Sequence, residues 1–157
     1  MNGSMSRDTG SDQVDTFREL ENAWSREDVP VESLTPKQAE AMRRLGDLVK
    51  LPTNWDSYGS PPPTPRAVDT VMDLLLTIDD WNLPAVLVVP VSGGGLQLEW
   101  RMEDRELQLE IAGDGTAQYL QVEDGQPPRE DEILPTVEYV QALLAWLNPH
   151  FAERWAA

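Results

Sequence analysis

Residues 93–111 read GGGLQLEWRMEDRELQLEI, and the alternation of apolar and polar residues in this stretch decides the fold. Strict alternation over four to eight residues is the mark of a strand with one face buried. Two such runs meet here head to tail. If Glu103 and Asp104 form the turn, Trp100 faces Leu107, Leu98 faces Leu109 and Leu96 faces Ile111, all on one side. The opposite side then pairs Arg101 with Glu106, Glu99 with Gln108 and Gln97 with Glu110. A slip of one residue would turn the leucines outward, so a single register satisfies both faces. The turn is the weaker feature, because Glu103-Asp104 lacks the glycine that a two-residue connection prefers.

Working outward, Ala85 to Val91 (AVLVVPV) is a short β-branched run suited to a strand apolar on both faces, and Pro90 places it at an edge. On the other side, Asp114-Gly115 is a strong turn signal that sends TAQYLQVE back along the hairpin. A two-residue turn there places Leu120 beside Leu109 and Val122 beside Leu107. Tyr119 and Gln121 then join the polar face, Tyr119 beside Glu110. Asp124 to Glu132 reads as a loop. Thr35-Pro36 and Thr64-Pro65 are matching helix starts, each with a capping hydroxyl followed by a proline where its missing N–H costs nothing. Met42, Leu45 and Val49 form the stripe of the first helix, and Val68, Val71, Leu75 and Ile78 that of the second. Val137, Val140, Leu144 and Leu147 form that of a last helix ended by Asn148-Pro149. The expected fold class is α+β, two-layer: a four-stranded antiparallel meander with helices on one face, in the order α-α-β-β-β-β-α. Residues 34–157 make one such domain. Residues 1–33 read as a flexible acidic tail holding a short amphipathic helix over Val14, Phe17, Leu20 and Trp24, which would dock on its own domain or on another chain.

The chain has 157 residues, enough for one core but not two. It carries 12 basic against 28 acidic residues, a formal net charge of -16. That charge disfavours direct binding to nucleic acid or to an anionic membrane and favours a basic protein partner, although solubility alone accounts for it equally well. The absence of cysteine removes disulfides, thiolate nucleophiles and Cys-ligated metals. No signal-peptide pattern opens the chain, and no uncharged apolar run approaches the ~18 residues of a membrane span, so a cytoplasmic protein is expected.

Two segments could carry a site. Between residues 99 and 132 lie eleven acids and three arginines, half of the net charge. Gln97, Glu99, Arg101, Glu106, Gln108, Glu110 and Tyr119 would share the open face of the sheet, suited to a basic protein. An ordinary solvated face accounts for the same residues. The second segment is the loop Asn54-Trp55-Asp56-Ser57-Tyr58-Gly59. There Asp56 either bonds to nearby backbone N–H groups, or joins Tyr58 and Glu99 around Trp55 to grip a ligand or hydrolyse one. Gly93 to Gly95 lack the lysine and helix of a phosphate loop. His150, the only histidine, has no matching serine motif or second metal-ligand histidine. Neither a catalytic set, a metal site nor a cofactor is expected.

Together NWDSYGSPP (Asn54 to Pro62), GGGLQLEW (Gly93 to Trp100) and RELQLEI (Arg105 to Ile111) resemble an uncharacterised family of small bacterial proteins with an NWDxxG...GGxxLEW-type signature. The resemblance implies that the middle half of the chain folds as one unit, and it brings no established activity, cofactor or catalytic residue. The leading expectation is a non-enzymatic acidic interaction module, the antitoxin-like or regulatory member of a bacterial protein pair. The alternative is a ligand-binding or hydrolytic enzyme with a carboxylate site between the 54–59 loop and the 93–100 hairpin.

Overall fold

The two threonine–proline pairs start helices as their chemistry requires. In the computed structural model, which describes residues 33–80 and 82–150, α1 spans Pro36–Leu48 and α2 spans Pro65–Thr77. Thr35 Oγ1 accepts from Gln38 N at 3.1 Å while Gln38 Oε1 accepts from Thr35 N at 3.0 Å, a reciprocal capping box. Thr64 Oγ1 accepts from Ala67 N at 3.2 Å. Each cap contributes about 1 kcal/mol by satisfying an otherwise orphaned N–H. The amphipathic segment over Val14 to Trp24 lies outside the described residues.

The strands follow as β1 (Leu87–Val91), β2 (Gly95–Met102), β3 (Arg105–Ile111), β4 (Ala117–Glu123) and β5 (Arg129–Ile133), before the last helix α3 (Val137–Leu147). They lie side by side in chain order, each antiparallel to the next. The class is α+β, with five strands where four were expected. The additional strand is β5, whose sequence Arg129-Glu130-Asp131-Glu132-Ile133 has no apolar alternation to announce it. It forms through backbone pairing with β4 alone, from Ala117↔Ile133 to Gln121↔Arg129, and its first four residues are exposed.

Between β2 and β3 the register is Leu96↔Ile111, Leu98↔Leu109 and Trp100↔Leu107, as the alternation requires. Trp100 is 3% exposed and points inward. Between β3 and β4 the structure differs from the expectation by one residue. Tyr119 pairs with Leu109 and Gln121 with Leu107, so both lie on the inner face, while Leu120 and Val122 face outward opposite Gln108 and Glu106. The cause is the turn. Gly113, Asp114 and Gly115 form a three-residue loop closed by Gly115 N to Ala112 O and Ala112 N to Thr116 O, both at 2.8 Å, with Gly115 at φ +88°. A turn followed by a left-handed glycine is the usual three-residue hairpin, and its extra residue inverts every side chain beyond it.

The three helices among the described residues pack on one face, α1 over β1, α2 over β2 and β3, and α3 over β3. Leu45, Val68, Val71, Leu74, Val140 and Leu144 from the helices meet Leu96, Leu98, Leu107, Leu109 and Ile111 from the sheet with no exposed surface. Both sheet edges are guarded against further pairing. On β1, Pro90 lacks an N–H and Arg44 Nε donates to the Val88 carbonyl at 3.3 Å. On β5, Glu132 N is taken by Asp131 Oδ1 at 2.8 Å.

Candidate functional site

The open face of the sheet is built from the outward positions of all five strands. One row across it reads Leu87, Glu99, Gln108, Leu120, Glu130, and the next Val89, Gln97, Glu110, Gln118, Glu132. Its centre, on β2 and β3, is a hydrogen-bonded band of acids and amides. Gln97 Nε2 donates to Glu99 Oε1 at 2.6 Å, Gln108 Nε2 to Glu106 Oε1 at 2.7 Å, and Arg101 Nη2 to Glu106 Oε2 at 2.6 Å. The Gln108 amide and then the Arg101 guanidinium hold the Glu106 carboxyl below the usual carboxylate range. Glu106 is thereby committed within the face. Glu99, Glu110, Glu130 and Glu132 have no cation within ion-pair distance among the described residues.

Aliphatic side chains flank this band on both sides. Leu87, 52% exposed, with Val89 and Val91 lines it on β1, and the half-buried Leu120 and Val122 line it on β4. Three strand spacings separate the two rails, about 14 Å. Gln97, Glu99, Arg101, Glu106, Gln108 and Glu110 thus share one surface, whereas Tyr119 does not belong to it. Tyr119 is on the inner face, packed against the core. Leu120 and Val122 were missed because the loop length that turns them outward has the same Asp114-Gly115 core as a two-residue turn.

The loop at 54–60 is a closed hydrogen-bonded cage. Asn54 N donates to Ser60 O at 2.7 Å, Gly59 N to Asn54 Oδ1 at 2.7 Å, and the Trp55 indole N–H to Pro61 O at 2.9 Å. Asp56 sits at its centre. Its Oδ1 accepts from Tyr58 N at 3.0 Å and Ser60 N at 3.2 Å, and its Oδ2 from Ser60 Oγ at 2.5 Å and Ser92 Oγ at 2.7 Å. The two serine hydroxyls first, and then the backbone N–H groups, hold this carboxyl far below the usual range. Ser60 Oγ in turn accepts from Gly93 N at 3.1 Å, so the carboxylate fastens the loop to the β1–β2 hairpin.

Glycines make that contact possible. A Cβ on Gly94 would lie 2.9 Å from Thr64 Cγ2, and one on Gly113 would lie 2.7 Å from Gly93 O. Thr64 N donates to Gly94 O at 2.9 Å and Thr64 Oγ1 to Gly113 O at 2.6 Å. Gly94 and Gly113 therefore serve close backbone approach, while Gly93 has open space where a Cβ would sit and serves the turn through its φ of +90°.

Trp55, Asp56, Tyr58 and Glu99 do not converge on one point. Tyr58 is 91% exposed, and only its backbone N–H meets Asp56. Glu99 lies four residues along β2 from Gly95, roughly 13 Å at strand rise, and is bonded to Gln97. Ser60 and Ser92, the groups that occupy Asp56, were not singled out from the sequence. Ser60 follows Asp56 at a local spacing, but nothing in the chain links it to Ser92. Among the described residues no group of three or more histidine and acidic side chains is placed to hold a metal ion, and no helix is long and apolar enough to cross a membrane. Comparison with family models, curated proteins and solved structures finds no match to this chain.

Proposed function

We propose that this protein is a non-enzymatic acidic interaction module that binds a basic protein through the open face of its sheet, as the antitoxin-like or regulatory member of a pair. The observation that carries the reading is the pattern of that face. Acids without cations stand between two aliphatic rails, Leu87 with Val89 and Val91 on one side and Leu120 with Val122 on the other. Lysine and arginine side chains suit such a surface, because their apolar stems cover aliphatic neighbours while their heads reach carboxylates. A second copy of the same face would bring like charges together, so the partner is a different, basic protein.

Affinity purification on the full chain in low and in moderate salt, compared with a Glu99→Lys, Glu110→Lys variant, tests this. Both substitutions lie on the open face and leave the core untouched. We expect a partner of high pI that is retained by the original chain and released by the variant. A partner held equally by both, or none at either salt, would remove the sheet face from the account. The capacity of the recovered partner to slow growth when expressed alone would test the antitoxin-like reading.

A further inference from the structure

At the end of the sheet where β3 turns into β4 and β5 leaves for α3, a cleft of about 770 Å³ opens between the 112–116 loop, the first turns of α2 and residues 132–135. That volume falls in the range of small-molecule sites, roughly 300–1,000 Å³. Its charged groups are of both signs, Arg66 on α2 and Glu110 and Glu132 on the sheet. Arg66 is fixed by its surroundings. Its stem lies across Gly115, where a Cβ would meet Arg66 Cδ at 2.7 Å, and its Nη1 donates to the Asp114 carbonyl at 3.3 Å. Among the described residues no carboxylate lies within ion-pair distance of it, although Asp114 lines the same cleft. Asp114 Oδ1 is instead taken by Thr116 N at 3.0 Å and Thr116 Oγ1 at 2.7 Å. Glu110 and Glu132 flank Gln118 in one row of the sheet, two strand spacings or about 10 Å apart, and are equally without a cation.

We infer that this cleft binds a free basic amino acid, lysine or arginine. Such a molecule carries one carboxylate and two cationic groups joined by an aliphatic stem. The cleft offers the complement: one guanidinium, two uncommitted carboxylates, and an apolar wall of Ile133, Leu134 and Pro135. The Arg66 guanidinium is a planar fork of five donors with one engaged, a shape that holds a carboxylate through two parallel bonds. The α-ammonium and the side-chain cation each meet a glutamate. Thr70 Oγ1 donates to the Arg66 carbonyl at 2.9 Å and Thr116 Oγ1 to Asp114, so both hydroxyls keep lone pairs that can accept from an ammonium group. Other ligands match less of the lining. A simple anion would face Glu110 and Glu132, and a diamine would set a cation against Arg66. The site shares Glu110 and Glu132 with the open face, but it needs no protein partner and does not depend on the function proposed for that face.

The test is calorimetric titration of the full chain with L-lysine and L-arginine at about 0.15 M salt. Cadaverine and agmatine, the same molecules without the carboxylate, and norleucine, without the side-chain cation, are the comparisons. At least one of the two amino acids is expected to bind with a Kd of about 1 mM or tighter, and its amine and norleucine at least about tenfold more weakly. The amines carry more positive charge than the amino acids, so unspecific attraction to an acidic chain would give the opposite order. Arg66→Gln makes the chain more negative, yet it should weaken the amino acid by about tenfold and leave the amine no weaker. Glu110→Gln with Glu132→Gln should weaken the amino acid by a similar factor, whereas Glu103→Gln, at the far end of β3, should leave it unchanged. In a nuclear magnetic resonance titration the shifted amides should include Gly115, Thr116 and Gln118. If a variant melts early, the ligand series and the shifted amides of the unaltered chain decide. Amines that bind as tightly as the amino acids, an affinity unchanged by Arg66→Gln, amide shifts only outside the cleft, or no binding of either amino acid overturns the inference.

Discussion

At the level of single residues, Asp56 is a carboxylate surrounded by donors, two backbone N–H groups and two serine hydroxyls. A general base needs a free lone pair and a pKa near the working pH, and this group has neither. Its role is to hold the 54–60 loop on the hairpin. Asp56→Asn should lower the thermal midpoint by several degrees. Because the folded pKa is depressed below the unfolded value of about 3.9, the stabilisation is present above that pH and is lost as pH falls below it. The difference between the two proteins should therefore be full at neutral pH and shrink as the solution is acidified past pH ~4; a constant difference in thermal unfolding would contradict the assignment. Glu103 is one of four non-glycine residues at positive φ among the described residues, with Asn54, Ser57 and Asn82. It holds φ +56° in the β2–β3 turn, a conformation that costs a non-glycine residue roughly 1–2 kcal/mol. Glu103→Gly relieves this at some entropic cost, and we expect a net gain of about 0.5–1 kcal/mol in urea unfolding.

The elements show why one hairpin was legible and its neighbour was not. On β2 and β3 both faces report independently, leucines with leucines and charges with amides, so only one register fits. On β4 the residues Tyr119, Leu120, Gln121 and Val122 are apolar or amphipathic on either parity, and the sequence pattern does not discriminate. The loop decides instead, and it contributes three residues. Leu120→Ser reads the difference directly. An outward, half-buried Leu120 should cost less than about 1 kcal/mol, whereas an inward one would cost about 2–5 kcal/mol. Gly113→Ala should be destabilising by roughly 1–3 kcal/mol, because the added methyl meets the Gly93 carbonyl at 2.7 Å. Strand β5 was illegible for another reason, since Ile133 alone of its side chains packs against the core that periodicity detects.

Taken whole, the chain has a formal charge of -16, and its described residues form four ion pairs with one another. One of these, Arg105 with Glu123, belongs to a larger cluster in which Arg105 also donates to the Trp146 carbonyl and lies 5.1 Å from its ring centroid. A net negative charge of this size is self-repulsive. Raising ionic strength from about 0.01 M to 0.15 M shortens the Debye length from about 30 Å to 8 Å, so the thermal midpoint should rise over that range. A midpoint that falls would show that attractive pairs outweigh the repulsion.

The sequence by itself determined the helix starts, the α+β class, the pairing of Leu96 to Trp100 with Leu107 to Ile111, and the acids and amides of the open face. These follow from local capping chemistry and from alternation, which act within a few residues. Only the tertiary structure decided that Tyr119 turns inward while Leu120 and Val122 turn outward, that four charged residues and Ile133 form an edge strand, and that Ser92 occupies Asp56. Each of those depends on contacts between distant segments: a strand's side-chain period is two, so one added loop residue inverts a face, and a carboxylate's partners are chosen by what the fold brings beside it.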